Sequence, residues 1–196
     1  MIQEYTQEMK YYLEDALRDI HTMLPGRIVS FDPRRCEATV APIASYKKLY
    51  GETMPFPQLF HVSVYTIQGA GQTATIAFPV NRGDQCILFF SEQALDAWRN
   101  NAESSADLRF DLSNAYAVVG MFSRPNGLVK EACVDNAIII QKDGSRVKLK
   151  EGEITISDSS EQSIILTPDA VTVKANDFIV QASGNITMTG ARIDLN

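Results

Sequence analysis

Three stretches of the chain space their apolar residues in three different ways. Residues 2–24 place Ile2, Tyr5, Met9, Tyr12, Leu13, Ala16, Leu17, Ile20 and Met23 at steps of three and four, which predicts one amphipathic helix. Acidic residues crowd its first turns, and Pro25-Gly26 ends it. Such a stripe can cover the helix's own domain or reach a neighbouring chain. From residue 26 to about 122 the pattern shortens to strands: Arg27 to Phe31, Glu37 to Ile43, Phe60 to Thr66, Thr73 to Phe78, Gln85 to Ser91 and Tyr116 to Phe122. Pro42 marks its strand as an edge. Ser91 is placed to cap a helix from Glu92 to about Ala102 that carries Leu95 and Trp98. Strands in this number, with one helix before the last, predict a small barrel of the oligonucleotide/oligosaccharide-binding (OB) type over residues 25–123.

Residues 137–196 follow a third rule. Apolar pairs recur at Ile138/Ile140, Val147/Leu149, Ile154/Ile156, Ile164/Leu166, Val171/Val173, Phe178/Val180, Ile186/Met188 and Ile193/Leu195, starting 9, 7, 10, 7, 7, 8 and 7 residues apart. Turn formers such as Asp143-Gly144, Glu151-Gly152 and Pro168-Asp169 separate them. The pattern is a repeat with one short strand per unit, and residues 124–136 link it to the barrel. The residue inside most pairs is Lys148, Thr155, Thr172, Thr187 or Asp194, so one face of each strand is wet and the other is apolar. Strands of about five residues enclose no core of their own. A single-chain solenoid needs turns of roughly 20 residues. Three chains around one axis, each giving one side of a prism, need only a strand and a turn per step. The expectation is therefore a homotrimer whose sixteen paired apolar side chains form the core of a needle. Eight strands spaced about 4.8 Å apart give it a length on the order of 40 Å.

Composition narrows the function. The net charge is −6, and the basic runs stop at Arg34-Arg35 and Lys47-Lys48, which argues against general nucleic-acid binding. The longest apolar run, Cys86 to Phe90, is far too short for a membrane helix, and the charged N-terminus is unlike a signal peptide. Cys36, Cys86 and Cys133 are odd in number and widely spaced, as expected of reduced, mostly buried thiols in a protein made in a cytosol. His21 and His61 lie 40 residues apart without a cysteine partner, which argues against zinc. Arg82-Gly83-Asp84 reads as a strand-to-strand turn, and Gln68 to Gln72 as a hairpin tip without the Lys-Ser/Thr of a phosphate cradle. Glu103, Asp107 and Asp111 near Arg109 read as a solvated loop and not as a glycosidase pair. No catalytic residue, metal ligand or cofactor is expected. Phe89, Phe90 and Tyr116 keep open a barrel that binds carbohydrate or nucleic acid on a rigid stalk.

Leu24 to Ile43, "LPGRIVSFDPRRCEATVAPI", Ala77 to Asn100, "AFPVNRGDQCILFFSEQALDAWRN", and Arg109 to Phe122, "RFDLSNAYAVVGMF", resemble, in order, the barrel domain of central spike proteins of contractile-tailed bacteriophages. The repeats after residue 137 are similar to that family's intertwined triple-stranded β-helix. The resemblance implies a non-enzymatic virion protein at the tail baseplate tip, assembled in the host cytoplasm. It implies a trimer joined to the baseplate hub through its barrels and driven through the host outer membrane when the sheath contracts. Spikes of contractile bacteriocins and secretion systems share this plan. The helix is then placed to meet the hub or the tape-measure protein through Tyr5, Met9, Leu13 and Ile20. Many relatives hold iron at a His-x-His tip. No histidine follows His61 here, so iron is not expected, and Ile193, Leu195 and Asn196 are expected to form a blunt platform, which either carries a separate tip protein, the reading favoured by its open strand edges, or works uncapped.

Overall fold

The computed structural model describes residues 2–18, 20–47, 52–103 and 108–194. The chain is mainly β and divides into two compact units, Met1–Arg124 and Pro125–Asn196.

The first unit opens with helix α1, Ile2–Arg18, shorter than the apolar stripe predicts. The barrel takes the end of the stripe for itself. Met23 and Leu24 pair with Phe89 and Leu88, so ladder hydrogen bonds claim these residues, and Ile20 falls beyond the helix. Strand β1, Met23–Asp32, starts four residues earlier than its alternation suggests and serves two neighbours. Its first half pairs antiparallel with the strand at 85–90, and its second half with β2, Glu37–Pro42. A register shift between Ile28 and Ser30 marks the bend between the halves.

Two small hairpins lie outside the barrel. One joins β3, Ser45–Lys47, to β4, Thr53–Pro55. The other joins β6, Ile67–Gly69, to β7, Ala74–Ile76, across the predicted Gln68–Gln72 tip. The barrel proper closes in the order β1-β2-β5-β9-β8, with β5 at Leu59–Val64, β8 at Gln85–Phe90 and β9 at Ala115–Val119. The pairs are antiparallel except β5 with β9, which run parallel. This is an OB-like barrel, and the predicted strand at 73–78 is not part of it.

The barrel core consists of Ile28, Ala38, Val40, Leu59, Val62, Val64, Cys86, Leu88, Phe90, Ala115 and Ala117. These positions alternate along β2, β8 and β9, as a closed sheet with one dry face requires, while in β5 the step from Leu59 to Val62 is three residues, across His61 with its φ of 55°. Pro42 is not on an edge strand, because β2 pairs on both sides. It escapes the usual penalty because pairing with β5 stops at Val40, while the next residue, Ile43, donates to the Pro25 carbonyl on the β1 side at 2.8 Å. Gly26 sits where β1 pairs with both β2 and β8. A Cβ there would lie 2.7 Å from Val40 Cγ1 and 3.1 Å from Cys86 Sγ. Gly26→Ala should therefore overpack the core and cost about 1–3 kcal/mol, measured as a lower midpoint in urea with an unchanged slope.

Helix α2, Leu95–Arg99, is shorter than predicted, and Ser91 does not cap it. The Ser91 hydroxyl accepts from Gln93 N at 3.2 Å, whereas Leu95 N donates to the side chain of Asn114, 2.9 Å away. His21 packs edge-on to Phe56 and against Phe90, which gives it a packing role.

The second unit opens with helix α3, Gly127–Val134, inside the segment expected to be a plain linker. Asn126 starts it by accepting from Leu128 N and Val129 N at 3.1 and 3.3 Å. A five-stranded antiparallel meander comes next: β10 Ile138–Lys142, β11 Ser145–Lys150, β12 Glu153–Ser157, β13 Ser163–Leu166 and β14 Val171–Lys174. The first five predicted repeats are thus strands. The last three are not: residues 175–194 carry no helix or strand, and Phe178, Val180, Ile186, Met188 and Ile193 are exposed. Their repeat matches that of the first five, but this segment pairs with no neighbouring strand.

Candidate assembly surface

The turns of the meander hold its strands in one register. Asp143-Gly144 and Glu151-Gly152 are two-residue connections, since Lys142 pairs with Ser145 and Lys150 with Glu153. The longer turns are tied by Asp158, whose Oδ1 accepts from Ser160 N and Gln162 N, and by Thr167, whose Oγ1 accepts from Ala170 N. This register aligns the predicted pairs across the sheet. Ile138, Leu149, Ile154, Leu166 and Val171 stand opposite one another in one row, and Ile140, Val147, Ile156, Ile164 and Val173 in a second. Because side chains alternate between faces, both rows occupy the same face.

Among the described residues nothing covers that face fully. Ile138 and Val171 at its two ends are 67% and 68% exposed, and the others are exposed or half-buried. The opposite face carries Ile139, Lys148, Thr155, Ile165 and Thr172, and it is the better protected of the two. On that side Lys148 donates to Glu131 Oε1 at 3.1 Å and to Asp135, and Arg146 binds Glu131. These bonds bring side chains of α3 and of the residue after it to β11. The bond from Arg146 and then the one from Lys148 hold the Glu131 carboxyl below its ordinary range, and Lys148 does the same for Asp135. The sheet thus covers its polar face with charge and leaves its apolar face open, the reverse of the arrangement in a self-sufficient domain. Covering ten such side chains would contribute on the order of 10 kcal/mol per chain, at about 1 kcal/mol for each half-covered residue.

The remaining predicted positions fall elsewhere. Tyr5, Met9 and Leu13 are exposed on α1, and Ile20 is exposed beyond it. Ile193 lies in the segment without strands, and Leu195 and Asn196 lie outside the described residues. So does Asp107 of the acidic loop. Asp111 in that loop accepts from the Ser113 hydroxyl at 2.5 Å and from its amide at 2.7 Å, and these bonds hold its carboxyl below the usual range. It is a turn-former without a carboxylate partner in these contacts. Arg82-Gly83-Asp84 is the expected turn: Gly83 has φ of 98° and donates to Ile28 O, and Asp84 Oδ2 accepts from Asn81 N. Cys86 is buried, which pushes its thiol up to about 11, Cys36 is half-buried, and Cys133 is exposed on α3. Among the described residues no three His, Cys, Asp or Glu side chains come close enough to hold a metal ion.

Of the three aromatic residues expected on a binding face of the barrel, Phe89 and Tyr116 lie on its outside, whereas Phe90 points inward and is buried in the core. A groove of about 670 Å³ runs over the outside of β5, β9 and β8 beside α2. Phe89 and Tyr116 stack in it with centroids 5.3 Å apart, and Trp98 stands beside them, 76% exposed. Arg99 fixes α2 over the barrel, donating to His61 O at 3.1 Å and to Ser63 Oγ, and lying 3.5 Å from Glu37 Oε1. Glu37 gathers Arg35, His61 and Arg99. Its partial burial acts most strongly and raises its carboxyl, but bonds from His61 and Arg35 with the two guanidinium charges outweigh this and leave it below the ordinary range. The signal was the outward alternation of Phe89 and Tyr116 opposite inward Leu88, Phe90, Ala115 and Ala117.

Residues 24–120 match the family described as the phage protein Gp138 N-terminal domain. The matched span is the barrel with its two hairpins and α2. No curated protein matches the chain. The family match supports a phage structural protein and, with it, a virion component.

Proposed function

We propose that three copies of this chain form the central spike of a contractile phage tail. The barrels attach it to the baseplate hub. The second units form a needle that crosses the host outer membrane when the sheath contracts. One observation carries the reading: ten apolar side chains stand in two aligned rows on a sheet face that the chain itself leaves uncovered. Three such faces turned toward one axis bury one another. A surface of this kind, with its polar back hydrated and its hydrogen bonds parallel to the load, suits a rigid needle.

In the assembled needle, residues 175–194 take up their strands by pairing between chains. This brings Phe178, Val180, Ile186, Met188, Ile193 and Leu195 into the same core and winds the chains into a triple-stranded β-helix. The spike performs no bond chemistry and uses no cofactor. The match to a phage family supports a phage over a bacteriocin or secretion-system spike, with the tape-measure protein as a further neighbour at the hub.

Light scattering on the purified protein tests this directly. The expected mass is three times the 21.7 kDa of one chain, and the species should persist in sodium dodecyl sulfate until heated. A folded protein that stays at the mass of one chain would overturn the reading.

A further inference from the structure

Two surfaces of the first unit lack a partner, and they complement each other. The apolar stripe of α1 is exposed at Tyr5, Met9, Tyr12, Leu13 and Leu17. A helix of 17 residues, roughly 25 Å long, gains little by standing alone in water. The groove on the barrel is lined mainly by apolar side chains, among them Phe89, Leu95, Trp98, Tyr116 and Val118. Anchors at steps of three and four on a helix fit a groove of this kind. The charges agree as well. The span 2–18 holds Glu4, Glu8, Glu14 and Asp15 against Lys10 and Arg18, while Arg35, which bonds Glu37 at 3.2 Å but keeps its guanidinium largely exposed, stands at the groove.

We infer that the groove of one protomer receives α1 of a second copy. The chain just after α1 is tied to the barrel, with Phe90 N donating to Thr22 O at 3.1 Å and His21 N to Phe110 O at 3.2 Å. The helix therefore leaves each barrel from a fixed point, and its stripe is not seated in its own groove. A head-to-tail exchange of this type closes into a ring when the rotation between copies closes, as the threefold axis of the needle requires. The inference rests on the trimeric reading above and gives α1 a partner within the trimer in place of the hub.

Trp98 is the single tryptophan of the chain, so its emission reports on the groove alone. In the full-length protein, Leu13→Asp should shift that emission to the red and make it easier to quench with acrylamide. The mass should stay at three chains, because the needle still holds them. In a Cys133→Ser background, Leu13→Cys with Gln68→Cys should cross-link chain to chain under oxidation. Unchanged Trp98 emission in a protein of trimer mass would overturn this inference alone, as would cross-links formed only within one chain. A single-chain mass for the wild type would instead remove the trimeric reading on which it depends.

Discussion

Ile164→Asp should release the needle into single chains while leaving each chain's sheet intact. Ile164 lies in the second apolar row between Ile156 and Val173 and is 41% exposed in the isolated chain. A carboxylate there finds water, so the meander and barrel lose little. In the trimer the same substitution sets three carboxylates at one level of a dry axis. Each unpaired buried charge costs several kcal/mol, and their mutual repulsion adds to that. Thr172 is the control. It stands on β14 beside Val173, paired with Ile165 and on the opposite face, so Thr172→Asp should leave the mass at three chains. Light scattering and far-ultraviolet circular dichroism, read together, check the pair. Equal loss of mass from both substitutions would mean that the inward face is misassigned. Retention of the trimer by Ile164→Asp would remove the buried core altogether.

The fate of each sequence-based expectation depends on how local its physical cause is. The barrel strands were legible because Ala38/Val40, Val62/Val64, Leu88/Phe90 and Ala115/Ala117 alternate against polar or outward neighbours, and alternation alone fixes the dry face. The end of α1 was not, because Met23 and Leu24 continue the helical stripe, and only a strand more than sixty residues away decides that they become β1. Ser91 carried a normal capping signature. The cap came instead from Asn114, and no local pattern announces an amide that reaches back nineteen residues to Leu95 N. The assembly face was legible for the same reason as the barrel: two-residue turns preserve the pairing that puts Ile138, Leu149, Ile154, Leu166 and Val171 in line. Five repeats pair within the chain. The last three have the same pattern but are not strands within one chain, which agrees with a proposed partner that lies between chains. Phe89 and Tyr116 were legible as aromatics for a barrel face, but their meeting with Trp98 in one groove was not, because the three rings come from elements that come together only on the closed barrel.

The largest effect on the barrel is expected from Asn114→Asp, a change of one atom. Asn114 is 3% exposed. Its amide nitrogen donates to the carbonyls of Ser91, Gln93 and Leu108 at 2.9, 2.8 and 3.1 Å, and its oxygen accepts from Leu95 N at 2.9 Å. One side chain thereby ties the end of β8, the start of α2 and the loop before β9 into a single corner, and every polar atom in it is used. Aspartate keeps the acceptor for Leu95 but presents a charged oxygen to three carbonyls: those of Ser91 and Leu108 still accept from Phe110 N and Asp111 N, while that of Gln93 loses its donor. Leaving the Gln93 carbonyl unpaired costs about 1–3 kcal/mol, and a buried charge facing carbonyl oxygens adds more, so a loss of about 3–5 kcal/mol is expected. For a unit of this size that corresponds to a fall in the melting temperature of roughly 15 °C or more. The sign with pH comes from linkage. Burial among carbonyls raises the pKa of the new carboxyl above its unfolded value of about 3.9, and a protonated carboxyl restores one donor. The deficit relative to wild type should therefore be greatest at neutral pH and shrink as pH falls through the raised folded pKa toward about 4. Melting curves of both proteins followed through Trp98 at pH 7 and pH 4.5 check this. A deficit that does not narrow at the lower pH would show that the cost is one of packing and not of the missing donor.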